Sequence, residues 1–552
     1  MYDYYSKLKE PEITPIKAGF LFLICAVWVL TGLIGHDPWK PGEAYSFGLV
    51  YHIIQSHDWI IPTLAGEPYM DKPPLYYWTA ALFAKALAPL LPLHDGARLA
   101  TGFYTALTLL FVGLTGRELF GNDRGWPAAV ILIGCLGMLV RAHEILTDNA
   151  LLTGCAMMLY GYALSLRRAK LAGVFVGIGV GIGFMSKGFI APMLFLLISI
   201  GLLLFRNWRT RQYFTTLAIA LLCALPLFAV WPYVLYQRSP QLFTDWIWTR
   251  NIGHWFQFAR AGDFHDSAYY LKALPWLAWP ASPLAAWTVW EARKRVGQEA
   301  ALQLLLVGFI AMLLVLSFVP EISDQNGLPM LLPIALLATA ALTTVRRGAA
   351  NALDWFGIMT FALVAILLWW GWAGLLLDNN AKITHWLKDY QPGFEPDFNT
   401  IPFLIAVIVS VLWVLLVWRV GRSVRRSLIN WAGGIILLWI LTMTLWLPWL
   451  DSGKSYRHMI DDLKENLPQT YNCIADVRIG DSQRAMLQYF GNITPRRRAT
   501  GVCELLLVQG DRISKPIENE IGWDKIWEGS RKGDQTERFR LYRRVKEPEL
   551  KQ

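Results

Sequence analysis

The chain has 552 residues, of which 55% are hydrophobic and 17% charged, with 27 tryptophans and a formal charge of +10. That composition excludes an ordinary soluble globular protein and reads as a polytopic membrane protein. The positive balance is dispersed among short interhelical loops, with no aromatic-basic nucleic-acid module, so it sets insertion topology beside an anionic bilayer and implies no nucleic-acid partner.

The first apolar run, about 18–35, follows a polar leader carrying Lys7, Lys9 and Lys17 and has no small-residue cleavage site, so it reads as a retained helix. Directly after it, residues 35–78 gather Asp37, Lys40, Glu43, His52, His57, Asp58, Glu67, Asp71 and Lys72 into one polar segment, the place where chemistry would sit. Within this segment Phe47, Val50, Tyr51 and Ile54 recur at helical spacing and predict a helix over Glu43–Ser56 with one apolar stripe.

Basic clusters at Arg117/Arg124, Arg167/Arg168/Lys170, Arg206/Arg209/Arg211, Arg293/Lys294/Arg295, Arg346/Arg347 and Arg419/Arg422/Arg425/Arg426 mark cytoplasmic loops. Spans between successive clusters must come in pairs. This predicts about thirteen helices, at 18–35, 97–116, 125–143, 149–166, 171–187, 188–205, 214–236, 272–290, 300–318, 328–345, 353–377, 401–418 and 430–449. If Leu75–Leu91 also crossed, every later basic cluster would invert, so it is expected to lie in the outer interface, with Tyr76, Tyr77 and Trp78 at headgroup level.

Gly177, Gly179, Gly181 and Gly183 alternate in mid-span with no preceding strand, which favours close helix packing over a phosphate loop. Cys25, Cys135, Cys155 and Cys223 fall inside apolar runs as small core residues. From about Asp451 the composition becomes that of a soluble domain, with a helix over Tyr456–Leu467 and strands at Cys473–Ile479, Cys503–Gln509 and Phe539–Val545. Cys473 and Cys503 are either a disulfide pair or two buried thiols.

The run Asp58–Trp78, D-W-I-I-P-T-L-A-G-E-P-Y-M-D-K-P-P-L-Y-Y-W, resembles the GT-C class bacterial membrane glycosyltransferases of the aminoarabinose (lipid A) transferase and protein O-mannosyltransferase-like family. Leu146-Thr147-Asp148, Ser186-Lys187-Gly188 and Gly327-Leu328-Pro329 through Pro333 continue the likeness.

The resemblance implies an α-helical GT-C membrane domain over 1–450, with a periplasmic juxtamembrane segment at 36–92 and a periplasmic loop at 237–268. A small periplasmic α/β domain then occupies 451–552. The implied reaction moves a sugar from a polyprenyl-phosphate donor to a glycolipid or protein acceptor at the outer face of a bacterial inner membrane, with no cofactor required.

By matching positions, Lys72, Tyr69, Lys187 and Arg260 are expected at the donor phosphate, where cations relieve charge as the glycosidic bond breaks. Glu43 and Asp148 are the catalytic candidates. Asp71, Asp263 and His265 are substrate-loop candidates, and Asp71 with His265 raises the option of a divalent cation.

The sequence departs from the family in two places: Gly42-Glu43 stands where the family has Asp-Glu, and Asn326-Gly327 where it often has a tyrosine before L-P. Three accounts stay open. Glu43, or Asp37, supplies the missing carboxylate; the acceptor is already an anion and needs no base; or the chain is a catalytically weakened relative. A multi-pass transporter is the rival class and predicts charges at mid-span and broken helices in an internal repeat, neither of which is visible in the sequence.

Overall fold

The computed structural model describes residues 15–253, 268–319, 323–377, 382–392, 394–419, 424–497, 501–510, 522–534 and 536–545. Helices stand at each expected apolar run. The first half contains α1 (Pro15–Leu30), α2 (Gly42–Ser56), α3 (Leu75–Leu87), α4 (Leu93–Phe120), α5 (Gly125–Gly134), α6 (Met138–Arg141), α7 (Thr147–Leu164), α8 (Ala169–Lys187), α9 (Ile190–Leu202) and α10 (Arg211–Arg238). Helices Tyr269–Leu277, Ala281–Ala292, Ala300–Ser317, Leu331–Ala341, Arg347–Leu376, Thr400–Arg419 and Val424–Leu445 follow. Among the described residues seven helices are each long and apolar enough to cross a bilayer, while α5, α9 and others are shorter apolar helices.

Two runs expected to be continuous, 125–143 and 272–290, are each broken, and the breaks face one another. The Leu136 N–H donates to the Trp279 carbonyl at 3.3 Å and the Gly137 N–H to the Leu277 carbonyl at 2.8 Å. In an apolar layer an unmade backbone hydrogen bond is costly, so each interruption persists because the other supplies its partner. Two sequence features fit the breaks: Pro280 has no N–H to give, and a Cβ at Gly137 would stand 3.1 Å from the Leu277 carbonyl.

The glycine run of α8 packs as expected. A Cβ on Gly177 would lie 2.4 Å from the Ala220 carbonyl of α10, and one on Gly179 would lie 2.6 Å from the Gly154 carbonyl of α7. Only hydrogen fits at those crossings.

The predicted pair of surface helices is present as α2 and α3, joined through a hairpin of β1 (Thr63–Leu64) and β2 (Glu67–Pro68). Its two-residue turn puts Ala65 and Gly66 at φ 47° and 84°, the backbone that a tight antiparallel turn requires. The stripe of α2 is turned slightly from the one expected, since Phe47, Val50 and Ile53 are buried while Ile54 is only partly covered. Tyr76 and Tyr77 are likewise buried and not at a headgroup surface. The Tyr76 hydroxyl sits 2.5 Å from that of Thr101 on α4, so α3 faces the bundle with its aromatic side.

The soluble C-terminal part is a five-stranded sheet in the order β4–β3–β5–β7–β6, built from β3 (Ile474–Val477), β4 (Arg496–Arg497), β5 (Leu505–Gly510), β6 (Trp523–Gly529) and β7 (Arg538–Arg544). Strands β3, β4 and β5 run parallel and β7 antiparallel to both β5 and β6. Cys473 and Cys503 form a disulfide. The helix Asp481–Gly491, absent from the sequence reading, docks on α2, and its Ala485 Cβ would be 2.5 Å from any Cβ placed on Gly48. Arg484 of this helix bridges Asp476 and Glu67, each at 3.0 Å, tying sheet to hairpin.

A second tie joins Asp37 to the start of the soluble part. Asp37 accepts from Arg457 Nε at 2.9 Å and from the Ser455 hydroxyl at 2.6 Å. Asp451 accepts at one oxygen from the Asp37 N–H at 3.0 Å and from Trp39 Nε1 at 2.8 Å. Burial would raise the Asp37 carboxyl, but Arg457 and Ser455 outweigh it and hold it below its ordinary value. Burial, and then the Asp37 charge, push Asp451 up to about 6.

A folded-state value above the unfolded one favours the fold below about pH 4, and that contribution is lost as pH rises through 6. Asp451→Asn keeps the acceptor oxygen and removes the charge. It is expected to raise stability at pH 7.5 by about 2 kcal/mol, allowing for partial solvent screening, with the gain shrinking toward zero at pH 4. Thermal unfolding of the detergent-solubilised protein at the two pH values checks this.

Candidate functional site

The polar ends of α2, α7 and α8 converge with the turn before Leu328. Lys72 precedes the double proline that starts α3, and its Nζ donates to the Tyr45 hydroxyl at 2.7 Å with Asp71 at 3.7 Å. Burial would push this ammonium down. Tyr45, Tyr77, Asp71 and Asp148 outweigh it, and Lys72 stays charged with its value well above the ordinary one. Tyr69 lies beside Tyr45, ring centroids 6.1 Å apart. Burial first and Asp71 second raise its hydroxyl, so it stays protonated and able to donate.

Asp148 opens α7 and Lys187 closes α8. Their side chains pair at 2.8 Å, and Lys187 also donates to the Asn326 side-chain oxygen at 2.9 Å. Asp148 is 2% exposed, and its place at the N-terminus of α7 suits an anion. A lysine at the end of a helix, a buried carboxylate and an amide thus converge at one point, with Lys72 within electrostatic range of Asp148.

The head of α2 points into the same region. A Cβ on Gly42 would lie 3.2 Å from the Leu146 side chain and 3.8 Å from Gln325, residues close in sequence to Asp148 and Asn326. Glu43 does not take that place. Its carboxylate is 1% exposed and accepts from Arg98 Nε at 2.6 Å, the Trp39 N–H at 2.9 Å and the Ile145 N–H at 3.3 Å. Burial would raise it, but Arg98 dominates the opposing effects and holds it below the ordinary carboxylate range.

Arg98 spends its remaining donors on Asp95 and on the carbonyls of Leu33, His36 and Asp37. The other candidate from the same turn, Asp37, is held by Arg457.

The second departure also has a local explanation. Gly327 leaves room for the Tyr270 ring, 3.1 Å from where its Cβ would be, and the neighbouring Tyr269 hydroxyl donates to Asp324 at 2.5 Å. Tyr45, Arg98, Tyr269 and Tyr270 escaped the sequence reading, and Asn326 entered it only as a departure from the family. Arg98 had a signal, an ionisable pair with Asp95 at i, i+3 in an apolar helix; the others needed the tertiary fold to bring them in.

Arg260, Asp263 and His265 lie outside the described residues, so the suggested Asp71–His265 cation pair does too. Among the described residues no group of three or more His, Cys, Asp or Glu side chains is placed to hold a metal ion.

Known proteins resemble this chain over most of its length. Residues 71–233 match the family described as dolichyl-phosphate-mannose-protein mannosyltransferase. The undecaprenyl phosphate-alpha-4-amino-4-deoxy-L-arabinose arabinosyl transferase of Pseudomonas savastanoi pv. phaseolicola is 29% identical over 436 residues, covering 77% of this chain and 76% of that one. Its counterpart from Pseudomonas aeruginosa is 26% identical over 448 residues, covering 77% and 75%.

The crystal structure of ArnT from Cupriavidus metallidurans bound to undecaprenyl phosphate superposes with a TM-score of 0.68 at 14% identity, over 96% of this chain and 98% of that one. The apo form of the same protein gives 0.66. These likenesses support a GT-C, aminoarabinose transferase-like family, and the chain is a membrane glycosyltransferase similar to those enzymes.

Proposed function

We propose that this enzyme moves a sugar, 4-amino-4-deoxy-arabinose by analogy with its relatives, from an undecaprenyl-phosphate donor to a phosphate group of a lipid A-type glycolipid at the periplasmic face of the inner membrane. The observation that carries the reading is the convergence of Lys72 and Lys187 on the Asp148 end of α7. Two ammonium groups there suit a donor phosphate, and Tyr69 and Tyr45 add hydroxyls beside it. As the C1–oxygen bond breaks, the polyprenyl phosphate leaves with an extra negative charge, which these groups stabilise.

The same site argues for an acceptor that arrives as an anion. Glu43 is committed to Arg98, Asp37 to Arg457 and Asp148 to Lys187, so each of these carboxylates already balances a cation. A phosphate oxygen can attack C1 without giving up a proton. Glu43 then positions the loop before α2 and is not a base, and Asp148 orients Lys187.

The direct test is reconstitution of the full chain in vesicles with undecaprenyl-phosphate aminoarabinose and lipid A, followed by mass spectrometry of the glycolipid. Transfer to the intact lipid and none to its dephosphorylated form is expected, and transfer to a hydroxyl acceptor instead would overturn the anionic reading. Asp71 is the more exposed carboxylate beside Lys72, with its side chain 31% exposed. Asp71→Asn is expected to change kcat by less than about five-fold; a loss of the 100-fold or more typical of a missing general base would identify Asp71 as one.

A further inference from the structure

A cavity of about 590 Å³ opens between the helix Lys382–Tyr390 and residues 531–534, and the chemistry proposed above makes no use of it. Trp386 and Tyr390 stand on its wall, 59% and 61% exposed, with ring centroids 5.6 Å apart, and Tyr390 stacks on Trp449 at 6.2 Å. Across from them Lys40 pairs with Asp534 at 3.0 Å, and Arg531 holds the same carboxylate. Asp389 adds a further acceptor to the lining.

The cavity also reaches Gln391, which is only 7% exposed and whose side-chain oxygen has no hydrogen-bond partner among the described residues. Two glycines make space for this amide. A Cβ on Gly453 would collide with the amide itself, and one on Gly533, at φ 76°, would stand 3.2 Å from the Gln391 Cα and Cγ. A buried acceptor without a donor among the described residues is uncommon in folded proteins, and its position on a cavity wall suits a donor brought by a ligand.

The combination is chemically selective. Bare aromatic faces accept the C–H face of a sugar ring, and a wall on which ammonium, guanidinium, carboxylate and amide alternate suits a ring of hydroxyl or amino groups. An isolated phosphate would meet Asp389 and Asp534 as well as the cations. We infer that this cavity binds the saccharide headgroup of the acceptor, an amino-sugar disaccharide fitting both its volume and its carboxylates.

The inference rests on the proposed transfer to a glycolipid and adds where that acceptor is held. Its location agrees, because Lys40 lies two residues before Gly42, which faces Leu146 and Gln325 beside the Asp148–Lys187 pair. The loop that carries Lys40 on the cavity wall thus leads directly into the head of α2.

The experiment uses the full chain in nanodiscs, a free β-linked glucosamine disaccharide as probe, and saturation-transfer NMR with tryptophan fluorescence as readouts. Trp386→Ala, at an exposed position, and Gln391→Leu are each expected to weaken disaccharide binding about ten-fold, with undecaprenyl-phosphate binding unchanged. Failure of the wild-type chain to bind the disaccharide overturns the inference. So does unchanged binding by both variants, or displacement of the probe by a peptide or by phosphatidylcholine vesicles. If undecaprenyl phosphate itself fails to bind, the transfer reading falls instead.

Discussion

Lys72→Met is expected to lower kcat/KM for sugar transfer by about 100- to 1,000-fold, the range for removing one preorganised donor from a site of developing negative charge. Lys72 carries this effect because its ammonium is held by the Tyr45 hydroxyl at 2.7 Å and its charge is kept on by the surrounding groups. The fold is expected to tolerate the change, since Tyr45 and Asp71 are partly exposed and can turn to solvent. Lys72→Arg should recover part of the rate, a guanidinium being a cation with a different reach and donor geometry.

Lys187 is a less clean probe. Removing it strands the Asp148 carboxylate, 2% exposed, and mixes catalytic loss with the cost of an unpaired buried charge. Steady-state kinetics with thermal midpoints and undecaprenyl-phosphate binding separate these effects. A Lys72→Met enzyme that folds, binds the lipid phosphate and turns over within three-fold of wild type would remove the phosphate role from Lys72.

The architecture was largely legible because the bilayer imposes a length and a polarity on each crossing. Apolar runs of the right length located the helices, and pairing of the basic loops kept Leu75–Leu91 out of the crossing set. It lies as the shorter helix α3 packed against α4. The breaks at Cys135–Gly137 and Leu277–Pro280 were not legible, because neither is tolerable alone and their mutual backbone bonds span some 140 residues of sequence. What the face of α2 packs against was not legible for a similar reason. The sequence shows an apolar stripe on α2 but not its partner, and Gly48 on the same helix meets Ala485 of the C-terminal part.

At the candidate site the motif letters located Lys72, Asp148 and Lys187, and the fold brings all three together. What the letters could not say is which carboxylate is already occupied. Glu43 looks available in the sequence because its partner lies 55 residues away, in the middle of a segment read only for hydrophobicity.

The Glu43–Arg98 pair carries the largest expected effect on stability. Both side chains are essentially without solvent access, at 1% and 0% exposed, and the guanidinium donates to two carboxylates and three carbonyls. Arg98→Met is expected to destabilise the protein by about 3–5 kcal/mol, because Glu43 and Asp95 are left buried and the Leu33, His36 and Asp37 carbonyls lose their donor. Glu43→Gln keeps an acceptor for the Trp39 or Ile145 N–H and leaves Asp95 to balance Arg98, so its cost should be smaller. The two changes together should cost less than the sum of the two alone, since the double variant no longer holds an unmatched Glu43–Arg98 charge.

This contrast separates the structural role from a catalytic one. If Glu43 positions the head of α2, the folded fraction of Glu43→Gln keeps kcat within a few-fold and its losses follow the fall in thermal midpoint. If Glu43 is instead the base, kcat falls by about 100-fold or more at unchanged stability, and its pH profile loses the acidic limb. That result would return the missing family carboxylate to position 43 and replace the anionic-acceptor reading with a hydroxyl acceptor.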